Sequence, residues 1–492
     1  MSDPDAPPSG SSGLHRSRTG VRGLDEVLNG GLPSGRATLV AGGPGCGKSL
    51  LALEILVRGY EEFGEPGVVL TFEETEQELR DDARSLGFDL ARLEAEGGLA
   101  MDYIEVERDR IEQTGEFDLE ALFIRLQLAI DSIGAKRVVL DTIEVLFAAL
   151  DDTAVLRSEL RRLFRWLKER HVVAIITAER GDGGLTRHGL EEYVSDCVIL
   201  LDHRVTDQLA TRRLRIVKYR GSVHGTGEFP FLIDDTGFSV LPITSLDLDH
   251  PASDDPVPSG VAGLDAMLDL GGYYRGSTVM VSGAAGTGKS ILAAHFAAAC
   301  CARGECTVLL AFEESPAQIV RNLRSVGLDL ARYLADGTLR IHAGRPSQVG
   351  LESHLLRLYK LVDEFEPRNV VIDPITDFHG QGTTLDVKAM LMRMVDLLKR
   401  RNITGLFTSI TPATGAEDPI VSSLIDCWIQ LRNVELRGER NRSIHVVKSR
   451  GMGHSNQVRE FLIDDAGIRL LDVALGPEGV LIGRDRPKAG ET

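Results

Sequence analysis

Short apolar runs alternate with longer amphipathic segments along the first half of the chain. Near-continuous apolar runs between helical segments are typical of a parallel sheet whose two faces are covered by helices. Two later apolar runs follow each other with no helix between them, which indicates an antiparallel extension at one edge of that sheet. The pattern predicts strands at 37–41, 68–72, 137–140, 172–177, 197–201 and 214–217, and helices at 50–63, 76–86 and 155–170.

The second half of the chain repeats the first, motif by motif and in the same order. The repeated pairs are residues 20–25 and 260–265, 42–49 and 283–290, 72–74 and 312–314, 138–141 and 370–373, 218–221 and 448–451, and 231–235 and 461–465. Shared motifs in one order indicate a duplication, and Asp, Pro and Ser cluster between the copies as in a linker. We predict a disordered tail at 1–13, domains at 14–247 and 248–475, and a C-terminal tail at 476–492.

Each copy carries one sequence of the form GxxxxGK[ST], between a predicted strand and a helix. In such a phosphate loop the glycines let successive backbone N–H groups face phosphate oxygens, and the helix N-terminus adds partial positive charge. The lysine reaches the β- and γ-phosphates, and the serine hydroxyl ligates Mg²⁺. The sequence therefore predicts two sites for ATP and Mg²⁺, formed by Gly45, Cys46, Gly47, Lys48, Ser49 and Leu50, and by Gly286, Thr287, Gly288, Lys289, Ser290 and Ile291.

Carboxylates follow two strands of each copy. Asp141 and Asp373 end apolar runs, where a carboxylate beside a phosphate loop suits Mg²⁺ and the alternative is a simple strand-end cap. Hydrolysis also needs a base or water-positioning group near the γ-phosphate, and acidic residues at a helix start are the plainer alternative. The predicted catalytic carboxylates are Glu73, Glu74, Glu313 and Glu314, with Glu313 also a candidate Mg²⁺ ligand.

Basic residues close a late strand in each copy. Residues two apart on a strand share a face, so Lys218 with Arg220, and Lys448 with Arg450, can meet one polyphosphate. In P-loop assemblies such groups commonly reach the ATP of a neighbouring subunit as arginine fingers, although a solvated strand end explains them equally well from the residues alone. His224 and His454 follow these pairs and join the candidate ATP contacts.

Composition narrows the class of protein. The net charge of −18 argues against broad nucleic-acid binding, which depends on clustered Lys and Arg. The six cysteines include no CxxC pair, so a zinc site is not expected, and they fit buried thiols in a reducing cytoplasm. The longest apolar stretch, 291–302, is too short to span a bilayer, and no signal peptide opens the chain.

The order of these motifs resembles that of the KaiC family, the ATPases and autokinases of cyanobacterial clocks and their relatives. The resemblance covers about 14–475 and is carried by FEET (72–75), FEES (312–315), VSD (194–196), ELRGE (435–439), KYRG (218–221), KSRG (448–451) and REFLI (459–463). It implies two tandem RecA-like P-loop domains of the α/β class, each a mainly parallel sheet flanked by helices. It also implies homohexamers of two stacked rings with ATP between subunits, and it adds Arg442 to the nucleotide contacts.

The family's autophosphorylation site lies just before the Asp of a late strand. At that point Ser422 and Ser423 match its adjacent acceptors, whereas the first copy has Glu192 and Tyr193 in the same register. The resemblance therefore implies serine autokinase and autophosphatase activity in the second domain only. The second acceptor is Ser where the clock protein has Thr, and Ile425 stands where it has a hydroxyl.

Partners and competing functions follow from the same resemblance. The C-terminal tail is much shorter than the cyanobacterial tail that binds KaiA, which argues against stimulation by KaiA, whereas a KaiB-like partner stays open. A RecA-type recombinase or helicase would need basic DNA loops, and the acidic charge argues against it. A scaffold that only binds ATP is the other alternative, and the carboxylates in both copies argue against it.

Overall fold

The computed structural model describes residues 15–104, 120–147, 153–181, 195–206, 209–242, 252–345, 350–378, 383–411, 423–436, 439–472, 475–476 and 479–480. The chain divides into two compact units, residues 1–245 and 246–492. The predicted disordered tail at 1–13 and the last residues of the predicted C-terminal tail lie outside the described residues. No helix in the described ranges is long and apolar enough to cross a membrane.

The first unit alternates strands and helices from residue 16 to residue 240. Its strands are β1 (Arg16–Ser17), β2 (Leu32–Pro33), β3 (Ala37–Gly42), β4 (Gly67–Thr71), β5 (Leu99–Tyr103), β6 (Arg137–Asp141), β7 (Val173–Glu179), β8 (Cys197–Thr206), β9 (Leu209–Tyr219), β10 (Glu228–Asp234) and β11 (Gly237–Val240). Its helices are α1 (Leu24–Val27), α2 (Lys48–Phe63), α3 (Glu76–Ser85), α4 (Leu90–Ala95), α5 (Glu120–Ile133), α6 (Ile143–Phe147) and α7 (Thr153–Glu169).

The described part of the first unit forms a nine-stranded sheet in the order β11-β10-β9-β8-β3-β7-β6-β4-β5. The strands from β8 to β5 in that order pair in parallel, and β9, β10 and β11 extend the sheet antiparallel at one edge. This confirms the predicted α/β class and the antiparallel extension.

The second unit repeats this arrangement. Its strands are β12 (Pro256–Val257), β13 (Tyr273–Tyr274), β14 (Thr278–Gly283), β15 (Thr307–Ala311), β16 (Leu339–Ala343), β17 (Asn369–Asp373), β18 (Thr404–Ile410), β19 (Cys427–Leu436), β20 (Glu439–Ser449), β21 (Arg459–Asp464), β22 (Gly467–Leu470), β23 (Leu475–Gly476) and β24 (Gly479–Val480). Its helices are α8 (Ala262–Asp265), α9 (Lys289–Ala302), α10 (Pro316–Arg324), α11 (Ala331–Ala335), α12 (Leu351–Phe365) and α13 (Thr384–Arg400), with a 3₁₀ turn at Ile375–Phe378. Its main sheet has the order β16-β15-β17-β18-β14-β19-β20-β21-β22 in the described residues.

The apolar pattern locates the core strands well and the edge strands less well. The strands predicted at 37–41, 68–72, 137–140 and 172–177 lie within two residues of their observed ends, because every residue of β3, β4 and β6 is buried. The strands predicted at 197–201 and 214–217 extend five residues further, to Thr206 and from Leu209. His203 and Arg204 are exposed there, so the end of this antiparallel hairpin lacks an apolar pattern.

A buried arginine joins the first residues of the first unit to its sheet. The Arg137 side chain is 1% exposed, and its guanidinium donates to the Ile55 carbonyl at 2.8 Å, the Arg18 carbonyl at 2.6 Å and Glu65 Oε2 at 2.8 Å. Removing one partner from a buried charged network leaves the other groups without hydrogen bonds. We expect Arg137→Met to lower the free energy of unfolding of this unit by about 3 kcal/mol.

Denaturant titration measures this effect, with Arg84→Met as the matched control. Arg84 also pairs with a carboxylate, Asp81 at 2.7 Å, but its side chain is 70% exposed. Exposed pairs contribute little to stability, so Arg84→Met should unfold at the denaturant concentration of the unmodified protein. Equal midpoints for the two variants would contradict the role given to Arg137.

Candidate functional site

Both phosphate loops join a fully buried strand to a long helix. β3 ends at Gly42 and α2 begins at Lys48, while β14 ends at Gly283 and α9 begins at Lys289. The loops need glycine because φ is 97° at Gly47, where an added Cβ would lie 2.6 Å from Ile233 Cδ1. The equivalent position of the second loop, Gly288, has a φ of 105°. A side chain at either position would be strained and would also clash.

The loop lysines fold back onto their own loops. Lys48 Nζ donates to the Gly43 carbonyl at 3.1 Å, and Lys289 Nζ donates to the Ala284 carbonyl at 2.9 Å. Burial lowers the pKa of Lys289, while Asp373 and Glu313 act in the opposite direction. Each ammonium is therefore held against its own phosphate loop, where a phosphate oxygen could replace the backbone carbonyl as its hydrogen-bond acceptor.

The other side chains of the two loops are either buried in the core or at least partly exposed to solvent. Cys46 and Thr287 occupy equivalent positions and are buried, so only their backbone groups are available to a nucleotide. Burial raises the pKa of the Cys46 thiol. Ser49, Leu50 and Ile291 are partly exposed and Ser290 is exposed.

The arrangement of Asp141 and Ser49 fits a magnesium site. Asp141 is 5% exposed and accepts hydrogen bonds from Thr177 and Ser49, and burial raises its pKa. A buried carboxylate beside a hydroxyl is a donor set that Mg²⁺ prefers. No group of three or more His, Cys, Asp or Glu suited to a metal occurs in the described ranges.

The second unit repeats the threonine contact at Asp373. Thr408 donates to Asp373 Oδ1, as Thr177 does to Asp141. Sequence reasoning missed these two threonines, although each lies at the equivalent point of its copy. Asp377 was also missed, and it is one of the carboxylates that raise the pKa of Glu313.

The carboxylate pairs lie between a strand end and a capped helix. Thr75 caps α3 and Ser315 caps α10, each with a reciprocal capping box. The Phe72 amide donates to the Asp141 carbonyl at 2.8 Å, and the Phe312 amide donates to the Asp373 carbonyl at 3.1 Å. These bonds hold each pair beside the carboxylate of the neighbouring strand.

The two pairs differ in which member is coupled to the site. In the first unit Glu73 is exposed, whereas Glu74 is half-buried and its buried Oε2 has no hydrogen-bond partner among the described residues. Burial, followed by the charge of Asp141, raises the pKa of Glu74. The second member of this pair is therefore the one coupled to the carboxylate of the neighbouring strand.

In the second unit the first member is the coupled one. Burial, Asp377 and Asp373 raise the pKa of Glu313, and Lys289 acts in the opposite direction. Glu314 instead accepts a hydrogen bond from Asn322 of α10 at 3.2 Å. The sequence predicted all four carboxylates but could not separate the members of each pair.

The basic pairs lie level with the starts of the central strands β3 and β14, at the end of each sheet opposite the phosphate loop. This end of the sheet is called the basic edge. Lys448 pairs with Trp428, which is next to Met280 near the start of β14, whereas the phosphate loop follows the end of β14. Lys218 has the same relation to β3 through Val198. Burial, followed by Arg450, lowers the pKa of Lys448. Neither pair therefore lies beside the phosphate loop of its own unit.

Arg442, which the family resemblance adds to the nucleotide contacts, lies instead near the end of its sheet that carries the phosphate loop. It pairs with Asn433 on β19, two residues beyond the partner of Gly283. Its buried Nε has no hydrogen-bond partner among the described residues, and neither has that of Arg212, its counterpart in the first copy. Arg212 was missed by sequence reasoning, although the repeat pairs it with Arg442.

Hydrogen bonds and an ion pair at the start of β19 link the candidate acceptor segment to this basic edge. Ser423 is exposed, and its carbonyl accepts a hydrogen bond from Arg450 at 2.9 Å. Asp426 pairs with Lys399 at 2.8 Å and accepts from the Thr278 amide at 2.9 Å. Ser422, Glu192 and Tyr193 lie outside the described residues. His224 and His454 are half-buried beyond the basic pairs.

Comparison with known proteins gives one family. The family model described as ATPase: KaiC matches residues 17–245 and again residues 257–474. The chain is 50% identical to the circadian clock protein KaiC2 of Synechocystis sp. over 97% of its own length and 85% of that protein. It is 37% identical to KaiC3 of the same organism, over 96% of this chain and 95% of that protein. It is also 37% identical to the circadian clock oscillator protein KaiC of Synechococcus elongatus, over 96% and 92%.

Proposed function

Since the chain belongs to the KaiC family of ATPases, we propose that each unit binds and hydrolyses MgATP in a ring of six copies. We further propose that the second unit transfers the γ-phosphate to Ser422 or Ser423 of the neighbouring copy. The observation that carries this proposal is the position of the acceptor segment and the basic pair, at the sheet edge opposite their own phosphate loop.

The length of β14 gives the distance between the acceptor segment and the phosphate loop of the same copy. The Asp426 amide donates to the Thr278 carbonyl, and the Arg450 amide donates to the Asp426 carbonyl, so both residues lie level with the start of β14. β14 has six residues, so its five steps of about 3.3 Å separate that level from the phosphate loop by about 17 Å. Side chains at one edge cannot reach a nucleotide at the other.

A head-to-tail arrangement of identical copies removes this separation. If the basic edge of one copy faces the phosphate-loop edge of the next, each ATP is bound by the loop of one copy and the cations of its neighbour. Such heterologous contacts close into a ring when the rotation permits. The family resemblance supplies the number six, and the unpartnered Nε of Arg212 and Arg442 supports a phosphate group on the loop side.

The chemistry needs few groups beyond this geometry. The serine hydroxyl oxygen attacks the γ-phosphorus in line, the bond between that phosphorus and the β–γ bridging oxygen breaks, and ADP leaves. The hydroxyl proton passes to a carboxylate, for which Glu313 is the candidate in the second unit. Bound Mg²⁺ would offset the charge on the β- and γ-phosphates. Lys289 of one copy and Lys448 and Arg450 of its neighbour position the phosphates. Hydrolysis uses water in place of the serine hydroxyl.

The names of the relatives suggest a biological role. Because they are called circadian clock proteins, we propose a timing or signalling role for this chain, with the bound phosphate as the signal and an autophosphatase step to reset it. A KaiB-like partner and a cytoplasmic location belong to the same proposal. The family assignment favours this function over a DNA-handling recombinase.

Labelling with γ-labelled ATP tests the kinase part of the proposal. With Mg²⁺ present, purified protein should incorporate label, and mass spectrometry should locate it on Ser422 or Ser423. The Ser422→Ala/Ser423→Ala variant should lose the label and still release free phosphate, because its phosphate loops are intact. Ser325→Ala, which removes another exposed serine of the second unit, should keep the label. Phosphate release without labelled protein would contradict the autokinase and leave an ATPase.

A further inference from the structure

The same position of each loop helix holds a different titratable side chain. Glu54 lies six residues after Lys48, and His295 lies six residues after Lys289. Both are buried, at 1% and 9% exposure. Glu54 Oε2 accepts the Phe238 amide hydrogen at 2.6 Å, and His295 Nε2 accepts the Ile468 amide hydrogen at 3.0 Å. Each bond therefore ties the helix that follows the phosphate loop to the hairpin at the end of the sheet.

That hairpin packs directly behind the phosphate loop. A Cβ on Gly47 would lie 2.6 Å from Ile233 and 2.8 Å from Phe238, which flank the first hairpin turn. A Cβ on Gly288 would lie 2.8 Å from Ile463 of the second hairpin. The hairpin side chains thus support the loop from behind, and the buried acceptor fixes the hairpin to the helix that follows the loop.

We infer that Glu54 and His295 are positioning residues for the two phosphate loops, and that acid releases this hold in the second unit alone. The inference rests on the proposed nucleotide binding. An imidazole nitrogen accepts a hydrogen bond only while it is unprotonated, and a proton on Nε2 would face the Ile468 amide donor. A carboxyl oxygen keeps a free lone pair in both protonation states, so Glu54 can accept the Phe238 amide at any pH.

The surroundings of the two groups agree with this difference. Burial raises the pKa of Glu54 to about 7, while the Phe238 amide, Arg58 and Arg22 act in the opposite direction. Arg58 also pairs with Glu62 at 3.7 Å and donates to the Thr236 carbonyl, so it bridges the helix and the hairpin.

Among the residues that the structure describes, His295 has no charged partner of this kind. Burial lowers its pKa. Charged groups on the packed elements include Asp464 and Arg469 of the hairpin, which pair with each other at 3.5 Å, Asp265 of α8, which accepts from Ser259, and Arg303, which follows the last residue of α9. The same elements also carry Lys289, Arg459 and Glu460. None of them is a cause of the lowered pKa of His295, so the imidazole stays neutral at neutral pH and is charged only in acid.

The two groups therefore have opposite linkage to pH. The raised pKa of Glu54 means that its contribution to folded stability is present below pH 4.5 and is lost as pH rises through about 7. The lowered pKa of His295 means that its contribution is present above pH 6.5 and is lost as pH falls through its folded value. Between neutral and mildly acidic pH, only the second unit is weakened.

Nucleotide affinity measured for each unit separately tests the inference. Lys48→Ala leaves the second site to be measured, and Lys289→Ala leaves the first. With Lys48→Ala, we expect ATP affinity to fall as the pH is lowered from 7.5 through the folded pKa of His295, by about tenfold once His295 is protonated, the value of one lost hydrogen bond. Adding His295→Gln, whose amide oxygen accepts the same bond without titrating, should remove most of this change. The first site, measured with Lys289→Ala alone, should not bind ATP more weakly in acid, and adding Glu54→Gln should remove only the opposite change, which Glu54 causes as pH rises through about 7.

Hydrogen exchange of the hairpin gives a readout that does not need nucleotide. After correction for intrinsic exchange rates, peptides covering 461–470 should lose protection in acid in the unmodified chain and keep it in His295→Gln. Equal acid losses of affinity and protection in both proteins would overturn the inference. If no ATP binds at pH 7.5, the proposed function fails while the exchange result still decides the role of His295. His295→Glu, which copies the first unit, serves as the second variant if His295→Gln does not fold.

Discussion

Glu74→Gln in the first unit and Glu313→Gln in the second should each lower ATP turnover by about 10²- to 10⁴-fold. Glu73→Gln and Glu314→Gln should change it by less than about tenfold, because Glu73 is exposed and Glu314 accepts a hydrogen bond from Asn322. The amide keeps the size and hydrogen bonding of the side chain but cannot accept a proton. The expected loss is therefore that of a general base or of the group that orients the attacking water.

The contrast between the units comes from one residue of the following helix. Asn322 of α10 donates to Glu314 at 3.2 Å and so gives that carboxylate a partner on the following helix. Its counterpart in α3 is Asp82, which cannot donate and whose charge is one of the causes that raise the pKa of Glu74. Glu74 is therefore left turned towards Asp141, while Glu313 takes the equivalent role beside Asp373.

Turnover has to be measured one unit at a time. Glu73→Gln and Glu74→Gln are compared with Lys289→Ala present, and Glu313→Gln and Glu314→Gln with Lys48→Ala present. Asn322→Asp is the matched control for the contrast, because it removes the donor to Glu314 while keeping the side-chain size. If Glu73→Gln and Glu74→Gln reduce turnover equally, burial and coupling to Asp141 do not identify the catalytic carboxylate.

The strands, the loops and the duplication could be predicted because they are local features of the sequence. A strand buried on both faces shows as a continuous apolar run, as in β3 and β14, and a phosphate loop needs glycines where φ is positive, as at Gly47 and Gly288. The antiparallel hairpins were predicted too short because consecutive residues of β8, His203 and Arg204, are exposed, so both faces of the strand meet solvent there and no apolar pattern marks it. Local pattern therefore predicts the core better than the edges.

Contacts between distant residues were beyond such reasoning. The hydrogen bonds from Thr177 to Asp141 and from Asn322 to Glu314 form only when the sheet and helices are packed. The neighbouring residues in the sequence give no signal of either bond. The opposite positions of Lys448 and Arg442 follow from the pairing register of β19 and β20, which the motif order does not contain. The repeat would have identified Arg212 and the Glu54 and His295 pair, had the copies been compared at every position.

Mixing two inactive variants should restore autophosphorylation. Lys289→Ala removes the phosphate-loop lysine of the second unit and leaves its serines, whereas Ser422→Ala/Ser423→Ala removes the acceptors and leaves the loop. Each should incorporate no label alone. Because Ser423 lies at the edge opposite its own loop, we expect the neighbouring copy to donate the phosphate and mixed rings to contain complete sites between unlike chains.

The expected amount follows from random assembly of equal quantities. Half of the chains carry acceptors, and half of those have a neighbour with an intact loop, so the mixture should reach about a quarter of the label of the unmodified protein. The label should appear only on the Lys289→Ala chain, which a size tag distinguishes. The first phosphate loop is intact in both variants, so ring assembly through the first unit is preserved and is checked by native mass spectrometry. Mixed rings without label would show that phosphate moves within one chain, and the proposed arrangement of subunits would then be wrong.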